Sequence, residues 1–359
     1  MDKRVNRLEN LCAKGVGTLK KLILVVLSVL LMAAAPAAGV QVVNIYNWAD
    51  YLPEDVIRDF ERETGIRVVY NVFSNNEELH ARLRAGASGY DLIFPSDYMV
   101  EVLIEEGLLQ PIPREAIPNI AHIDQRFLSL PADPENKYAV PYLWGTTGIG
   151  VNTRYVTEEV DSWDVLWDPK YRGRIAMLND AREVFAVALK RLGYSLNSRD
   201  LAELQAARDL LIQQKPLVLT YDSDNTKNLL VSEEVWLAHG YSGDVLMAAE
   251  ENPNIVYVVP KEGGSMWMDM MAIPRTARNV EGALKLIDFL LRPDISARLS
   301  EAIWYPSPNR TSWELTSPEI MEDPSIHPPA EVLDKLEWLE DLGDLAPVVD
   351  RLWTEVKAD

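Results

Sequence analysis

The chain has 359 residues, a net charge of −20 at pH 7 and a single cysteine, Cys12. So acidic a protein argues against nucleic acid as a partner, because phosphate recognition requires a basic surface. One cysteine also excludes an intrachain disulfide framework and a cysteine-ligated metal cluster.

The N-terminal residues have the order of a secretory signal peptide. Basic residues precede an apolar run over 22–32, and small residues follow over 33–39. The apolar run is shorter than the roughly 20 residues that a membrane-spanning helix needs. We therefore expect residues 1–38 to direct export to the periplasm or another extracytoplasmic compartment, with an uncleaved N-terminal anchor as the alternative. Six basic and two acidic residues lie in 1–38, so the remainder carries 29 basic against 53 acidic residues, a net charge of −24.

The first part of the exported chain alternates short β-rich runs with amphipathic helical patterns. The predicted strands are 42–46, 66–70 and 91–94, and the predicted helices are 53–63, 77–85 and 100–106. Such an alternation is typical of a parallel sheet with helices on both faces.

A second series follows the apolar and aromatic segment 141–145. Its predicted strands are 175–178, 217–220, 235–239 and 255–259, and its predicted helices are 184–192 and 201–213. After these, residues 267–269 lead into a strand over 270–273 and a helix over 280–291, which has no sheet of its own nearby in sequence.

The simplest arrangement returns the late helix to the first unit. It predicts a two-lobed α/β protein in which each lobe is a mostly parallel sheet flanked by helices, with a cleft between the lobes. The expected boundaries are 40–145 for the first lobe, 146–267 for the second, 268–313 for the return to the first lobe, and 314–359 for C-terminal helices of the second.

Residues suited to ligand binding follow nearly every predicted strand. In open α/β sheets, ligands bind beyond the carboxyl ends of the strands. The candidates at these positions are Trp48, Asp50, Tyr51, Ser96 and Tyr98 from the first lobe, Asp180, Glu183, Ser223, Tyr241 and Asp244 from the second, and Trp267, Asp269 and Tyr305 from the later crossings.

Aromatic rings combined with carboxylates suit an aliphatic polyamine. Its ammonium groups require charge-assisted hydrogen bonds, and its methylene groups pack on flat apolar walls. Each residue taken alone also has a structural interpretation. Asp180 and Glu183, three positions apart, are typical of the first turn of a helix, and a single Trp such as Trp48 is typical of a core. Their common placement after strands favours ligand binding.

Signals for catalysis, cofactors or metals are weak. The sequence has no Gly-x-Ser-x-Gly motif and no phosphate-binding loop, so we expect neither an enzyme nor a cofactor. Four histidines show no metal-ligand spacing: His80, His122, His239 and His327. Asp180 and Asp269 leave one alternative open, the acid and nucleophile of a secreted glycoside hydrolase.

Several motifs occur in one order along the exported chain. They are Asn47-Trp48-x-x-Tyr51, Tyr90-Asp91-Leu92, Pro95-Ser96-x-Tyr98, Pro141-Tyr142-x-Trp144-Gly145, Asp180-Ala181-Arg182-Glu183-Val184-Phe185, Ser223-Asp224-Asn225, Pro260-Lys261-Glu262-Gly263-Gly264, Trp267-Met268-Asp269 and Tyr305-Pro306-x-Pro308-Asn309. With these motifs, the sequence resembles the periplasmic spermidine/putrescine-binding proteins of polyamine ABC transporters, in solute-binding protein family 1. The resemblance implies a type II periplasmic binding fold, a monomer whose cleft closes on a polyamine, and the transporter's membrane permease subunits as partners.

The resemblance also implies roles for the candidate residues. The aromatic walls would be Trp48, Tyr51, Tyr98, Trp267 and Tyr305; the ammonium partners would be Asp50, Asp180, Glu183 and Asp269; and the polar contacts would be Ser96 and Ser223. Tyr241, Ala49 and Leu339 depart from the spermidine-type pattern, which has Trp, Thr and Gln there. Tyr241 followed by Asp244 is closer to the putrescine-preferring branch. Spermidine is the first choice, and putrescine or another small cation is the alternative.

Overall fold

The structure is a computed structural model that describes residues 41–86 and 89–358. The predicted signal peptide, 1–38, lies outside the described residues. Among the residues that are described, no helix is both long and apolar enough to cross a membrane.

The first strands and helices have the predicted order. The strands are β1 Val42–Asn47, β2 Arg67–Val72 and β3 Leu92–Ile93, and the helices are α1 Glu54–Thr64, α2 Asn76–Arg84 and α3 Asp97–Glu105. β1 pairs in parallel with both β2 and β3. Helix α1 buries Val56 and Phe60 and ends at Gly65, whose φ of 71° lies in the left-handed region that glycine adopts readily. The prediction of a parallel sheet with helical connections is confirmed here.

One long strand connects the two parts of the sheet. β4 covers Ala139–Asn152, is buried throughout and was not predicted as a strand. Its first half pairs antiparallel with β9 (Ser265–Ala272), and its second half pairs antiparallel with β7 (Leu237–Tyr241) and β8 (Ile255–Val258). We call β1, β2, β3 and β9 with the first half of β4 the first lobe. The second half of β4 and the four strands between Ile175 and Val258 form the second lobe.

The second lobe has more helices than the sequence pattern indicated. Its strands are β5 Ile175–Met177, β6 Val218–Tyr221, β7 Leu237–Tyr241 and β8 Ile255–Val258, and its helices are α4 Ala181–Arg191, α5 Leu201–Gln214, α6 Thr226–Val231 and α7 Ser242–Glu251. β5 pairs in parallel with β6 and β7. The sequence pattern placed the end of the third of these strands at residue 239, whereas β7 continues to Tyr241 and α7 begins at the next residue.

The remaining elements complete both lobes. They are β9 Ser265–Ala272, α8 Val280–Leu290, α9 Pro293–Ile303, α10 Pro318–Met321, α11 Ala330–Leu333, β10 Glu337–Trp338 and α12 Ala346–Ala358. Trp267 and Asp269 lie inside β9, which corrects the expectation that the strand begins at 270.

The described strands form one sheet. Their order is β2-β1-β3-β9-β4-β7-β5-β6, and in addition β8 pairs with β4 and β10 pairs with β9.

The two larger hydrophobic cores of the described chain stabilise this arrangement. One contains residues of β1, β3, β9 and α8, and the other contains residues of β5, α4, α5 and α12. Gly282 of α8 lies so close to β1 that a Cβ there would be 2.4 Å from Val43 Cγ2. The α/β fold class of the sequence prediction is confirmed, while its lobe boundaries stay a prediction.

Candidate functional site

A single cleft brings together all thirteen residues that the sequence analysis selected. Its volume is about 1040 Å³, including the part that is open to solvent. The selected residues that line it are Trp48, Asp50, Tyr51, Ser96, Tyr98, Asp180, Glu183, Ser223, Tyr241, Asp244, Trp267, Asp269 and Tyr305. They come together because strands from both lobes end at this cleft or cross it.

Further lining residues were not selected from the sequence. They are Ala49, Ser74, Asn76, Asp224, Lys227, Asn228, Met247 and Leu339. Ser74 and Asn76 follow β2, so the same rule of strand ends applied to that strand would have found them. Lys227, Asn228 and Met247 lie on α6 and α7, which the sequence pattern did not predict.

Asp269 is a buried carboxylate held by a serine. The Ser96 hydroxyl donates a hydrogen bond of 2.8 Å to Asp269 Oδ1. Asn76 fixes that serine in turn, because Asn76 Nδ2 donates to Ser96 Oγ and the Ser96 amide donates to Asn76 Oδ1, both at 3.1 Å. Burial raises the pKa of Asp269 to about 7, while the hydrogen bond from Ser96 opposes the rise. A nearby cation would favour the ionised form of this carboxyl.

Asp180 and Glu183 act differently from a simple pair of helix-capping acids. Asp180 caps α4 by accepting a 3.0 Å hydrogen bond from the Glu183 amide. The Glu183 carboxylate instead reaches β4 and β9, where it accepts hydrogen bonds from Thr147 Oγ1 at 3.2 Å and Ser265 Oγ at 2.7 Å. Burial, followed by the charge of Asp180, raises the pKa of Glu183 to about 8. Both side chains therefore combine a structural contact with a place in the cleft wall.

A second group of acids lies around Asp244. The Tyr305 hydroxyl donates to Asp244 Oδ1 at 3.4 Å. Burial raises the pKa of Asp244 to about 7, and the like charges of Asp50 and Asp224 add to this effect. Ser74 Oγ donates to Asp224 Oδ2 at 2.6 Å and so joins the two lobes at the cleft. Asp50 has a φ of 51°, in the left-handed region that Asp tolerates better than most residues.

Aromatic rings pack edge to face between the acids. The ring centroids of Trp267 and Tyr305 are 5.2 Å apart at 66°, and those of Trp267 and Tyr241 are 5.6 Å apart at 84°. Tyr51 contacts Tyr305 at 5.5 Å and 76°. Trp48 is fixed by a 2.9 Å hydrogen bond from its Nε1 to the Phe94 carbonyl. The rings thus hold each other in place and offer flat apolar surface to the cleft.

Tyr98 connects the cleft to an acid outside the predicted set. Its hydroxyl donates to Glu77 Oε1 at 3.1 Å, and the Arg182 guanidinium carbon lies 5.3 Å from its ring centroid. Burial, followed by the charge of Asp180, raises the pKa of Glu77 to about 7. Ser223 accepts a 3.0 Å hydrogen bond from the Asn179 amide, so this serine also supports the loop that precedes Asp180.

The site carries unbalanced negative charge. Three of its carboxylates are buried, those of Asp180, Glu183 and Asp269, and that of Asp244 is partly buried. None of the four takes part in a salt bridge between described residues. Isolated buried carboxylates are costly unless they are protonated or matched by a cation. Among the described residues, no group of His, Cys, Asp and Glu is arranged to hold a metal ion. The arrangement instead suits an elongated organic cation with an apolar middle.

Comparison with known proteins places these features in context. Residues 55–328 match the model of a family described as bacterial extracellular solute-binding protein. The spermidine/putrescine-binding periplasmic protein of Salmonella typhimurium (strain LT2) is 41% identical over 329 residues, which cover 91% of this chain and 94% of the relative. The putrescine-binding periplasmic protein PotF of Escherichia coli (strain K12) is 37% identical over 346 residues, which cover 90% and 93%. A solved structure from Listeria monocytogenes, proposed to be a spermidine/putrescine ABC transporter, superimposes with a TM-score of 0.86 at 38% identity, covering 88% of this chain and 99% of that one.

Proposed function

Because the chain belongs to the family of bacterial extracellular solute-binding proteins, we propose that it is the polyamine-binding component of an ABC transporter and holds spermidine, putrescine or both in its cleft. Its fold is the two-lobed type II periplasmic binding fold, and its place of action is extracytoplasmic. The family serves substrate binding in transport.

The observation that carries this proposal is a set of carboxyls that lie between aromatic walls and form no salt bridge with any described residue. Asp269, Asp244 and Glu183 all have pKa values raised by burial to about 7 or 8. A ligand with two or more ammonium groups would supply the missing positive charge at more than one of these places. Its methylene chain would pack on Trp267, Tyr305 and the other rings, where each cation–π contact is worth about 0.5 to 2 kcal/mol.

We assign roles to the lining residues on the same grounds. Asp50, Asp180, Glu183, Asp244 and Asp269 are the ammonium partners, and Trp48, Tyr51, Tyr98, Tyr241, Trp267 and Tyr305 form the walls. Ser96 acts through Asp269, because its hydroxyl proton is engaged by that carboxylate. Ser223 supports the Asp180 loop.

Closure of the cleft would complete the site. Acids and rings come from both lobes, so neither lobe holds a full set of contacts. We propose that the ligand binds one lobe first and that a hinge motion at the strands crossing between lobes brings the second set onto it. The closed monomer would then dock on the permease subunits of the transporter. The lobe boundaries predicted from the sequence, at about 145, 267 and 313, belong to this proposal.

Calorimetric titration of the exported chain tests the function. We expect saturable binding of spermidine and putrescine, weaker binding of cadaverine, and no detectable binding of butylamine, which has the same apolar length as putrescine but one ammonium group. Small-angle scattering should show a smaller radius of gyration with spermidine present. Absence of binding by all of the polyamines would refute the proposal, and binding without compaction would refute the closure step alone.

A further inference from the structure

Lys227 is an unexpected side chain in a cleft proposed to bind cations. It is the one Lys, Arg or His among the described residues that line the cleft. It lies in the first turn of α6, and its Nζ is 3.0 Å from Glu251 Oε1 at the end of α7. The Lys227 side chain is 35% exposed, which places it at the mouth of the cleft rather than in the buried interior.

The charges around Lys227 show what it acts on. The acids of this end of the cleft are Asp50, Asp224 and Asp244. Burial and the charges of Asp50 and Asp224 raise the pKa of Asp244, and the charge of Lys227 opposes this rise. Asp224 is already engaged by the Ser74 hydroxyl at 2.6 Å. Lys227 therefore places a positive charge in the cleft wall at this end.

At the opposite end, no Lys, Arg or His is among the described residues that line the cleft. Burial raises the pKa of Asp180 and Glu183, and the charge of Arg182 opposes this rise. Arg182 is not among the residues that line the cleft, because its guanidinium donates to the Glu340 carbonyl at 2.8 Å and stacks beside Tyr98. An ammonium group at the Glu183 end would meet carboxylates with no cationic side chain beside them among the described residues of the cleft wall. One at the Asp244 end would share its carboxylates with Lys227.

We propose that Lys227 is a specificity-determining residue that limits the positive charge a ligand can place at the Asp244 end of the cleft, and so shifts preference from triamines toward diamines. The inference rests on the proposed function and deepens it. A diamine needs one ammonium group at each end, whereas the third ammonium group of a triamine is repelled by Lys227. The salt bridge to Glu251 holds the lysine at the mouth, so that it restricts this end without occupying it.

Variants at the salt bridge give opposite expected results. Lys227→Met removes the repulsion and leaves Glu251 free, so the affinity for spermidine relative to putrescine should increase about fivefold, of the order expected for one charge at a partly solvated site. Lys227→Gln should act in the same direction. Glu251→Gln frees Lys227 to approach Asp244, so the same ratio should decrease. Lys227→Arg should keep the ratio of the unmodified protein.

The measurement is the ratio of the two dissociation constants at low and high salt, by calorimetry. Lys285→Met is the matched control, because Lys285 forms a similar exposed pair with Glu281 at 2.7 Å on α8. Its ratio should not change. The expected shift in Lys227→Met should shrink at high salt, because screening weakens the interaction between exposed charges.

The inference is overturned, with polyamine binding left intact, if the ratio of spermidine to putrescine affinity stays within twofold of the unmodified protein in Lys227→Met, Lys227→Gln and Glu251→Gln. Failure of the unmodified protein to bind either polyamine overturns the proposed function itself.

Discussion

Raising the pH from 6 to 8 should strengthen polyamine binding. In the structure, burial raises the pKa of Asp269 and Asp244 to about 7 and that of Glu183 to about 8. The amines of a polyamine stay protonated over this range, as a lysine amine with a pKa of about 10.4 does. A bound ammonium group favours the ionised carboxylate and lowers its pKa, so each contacted carboxyl that was protonated must release its proton on binding.

The size of the effect follows from the fraction of each carboxyl that is ionised before binding. With a pKa of about 7, that fraction is about 9% at pH 6 and about 91% at pH 8, so one such carboxyl contributes about a tenfold gain in affinity. Glu183, with a pKa of about 8, rises from about 1% to about 50% and contributes about fiftyfold. The sign is the same for Asp269, Asp244 and Glu183. Even one contact therefore predicts at least about a tenfold gain.

Calorimetry at pH 6 and pH 8 measures this gain. Repeating each titration in two buffers with different heats of ionisation also counts the protons released, which should be about one or more at pH 6. In Asp269→Asn the gain should be about tenfold smaller, because that carboxyl no longer titrates. An affinity that differs by less than twofold between the two pH values, with no proton release, would refute the link between burial and binding at this site.

Two substitutions test the walls and the central acid. Asp269→Asn should weaken the binding of both polyamines at least tenfold at pH 8, about 1.4 kcal/mol, because it removes the charge that Ser96 holds in place. A calorimetric affinity equal to that of the unmodified protein would show that Asp269 is not an ammonium partner. Gly145→Ala should reduce affinity about tenfold, since its Cβ would lie 2.6 Å from Trp267 Cζ2 and 3.1 Å from Tyr305 Cδ1 and would displace both rings. The control for Gly145→Ala is Gly89→Ala, because a Cβ at Gly89 would have no atom of a described residue within 4 Å apart from its chain neighbours. Equal polyamine affinities and equal tryptophan emission in the two variants would contradict the assignment of Trp267 and Tyr305 as walls.

Much of the binding cleft could be predicted because its residues follow strands in the chain. Trp48, Asp180 and Asp244 were selected by one rule about strand ends, and that rule needs only local patterns of strands and helices. Ser74 and Asn76 follow the end of β2 and line the cleft, so the same rule applies to them. Lys227 and Met247 lie on α6 and α7, two helices that the sequence pattern did not predict. Residues typical of turns lie at or just before the start of each helix, Ser223 to Asn225 and Gly240 to Gly243, and they favoured loops there.

The long strand β4 shows where local patterns fail. Its sequence contains Pro141 and three glycines, a composition typical of loops. The glycines are required by contacts with distant residues: a Cβ at Gly145 would meet Trp267, one at Gly148 would lie 2.5 Å from the Val258 carbonyl oxygen, and one at Gly150 would lie 2.8 Å from Leu230 Cδ1. Those contacts exist only after both lobes have folded.

The sequence by itself determined the α/β class and the kinds of residue that line the cleft, because these depend on composition and short-range periodicity. For the same reason it predicted an export signal over residues 1–38. The tertiary structure decided how those residues are ionised and positioned. Asp180 and Glu183 looked equivalent in sequence, yet Asp180 caps α4 while Glu183 is held by Thr147 and Ser265 from two crossing strands. Burial by both lobes raises the pKa of Glu183 to about 8, and burial is a property of the packed lobes that no short stretch of sequence contains.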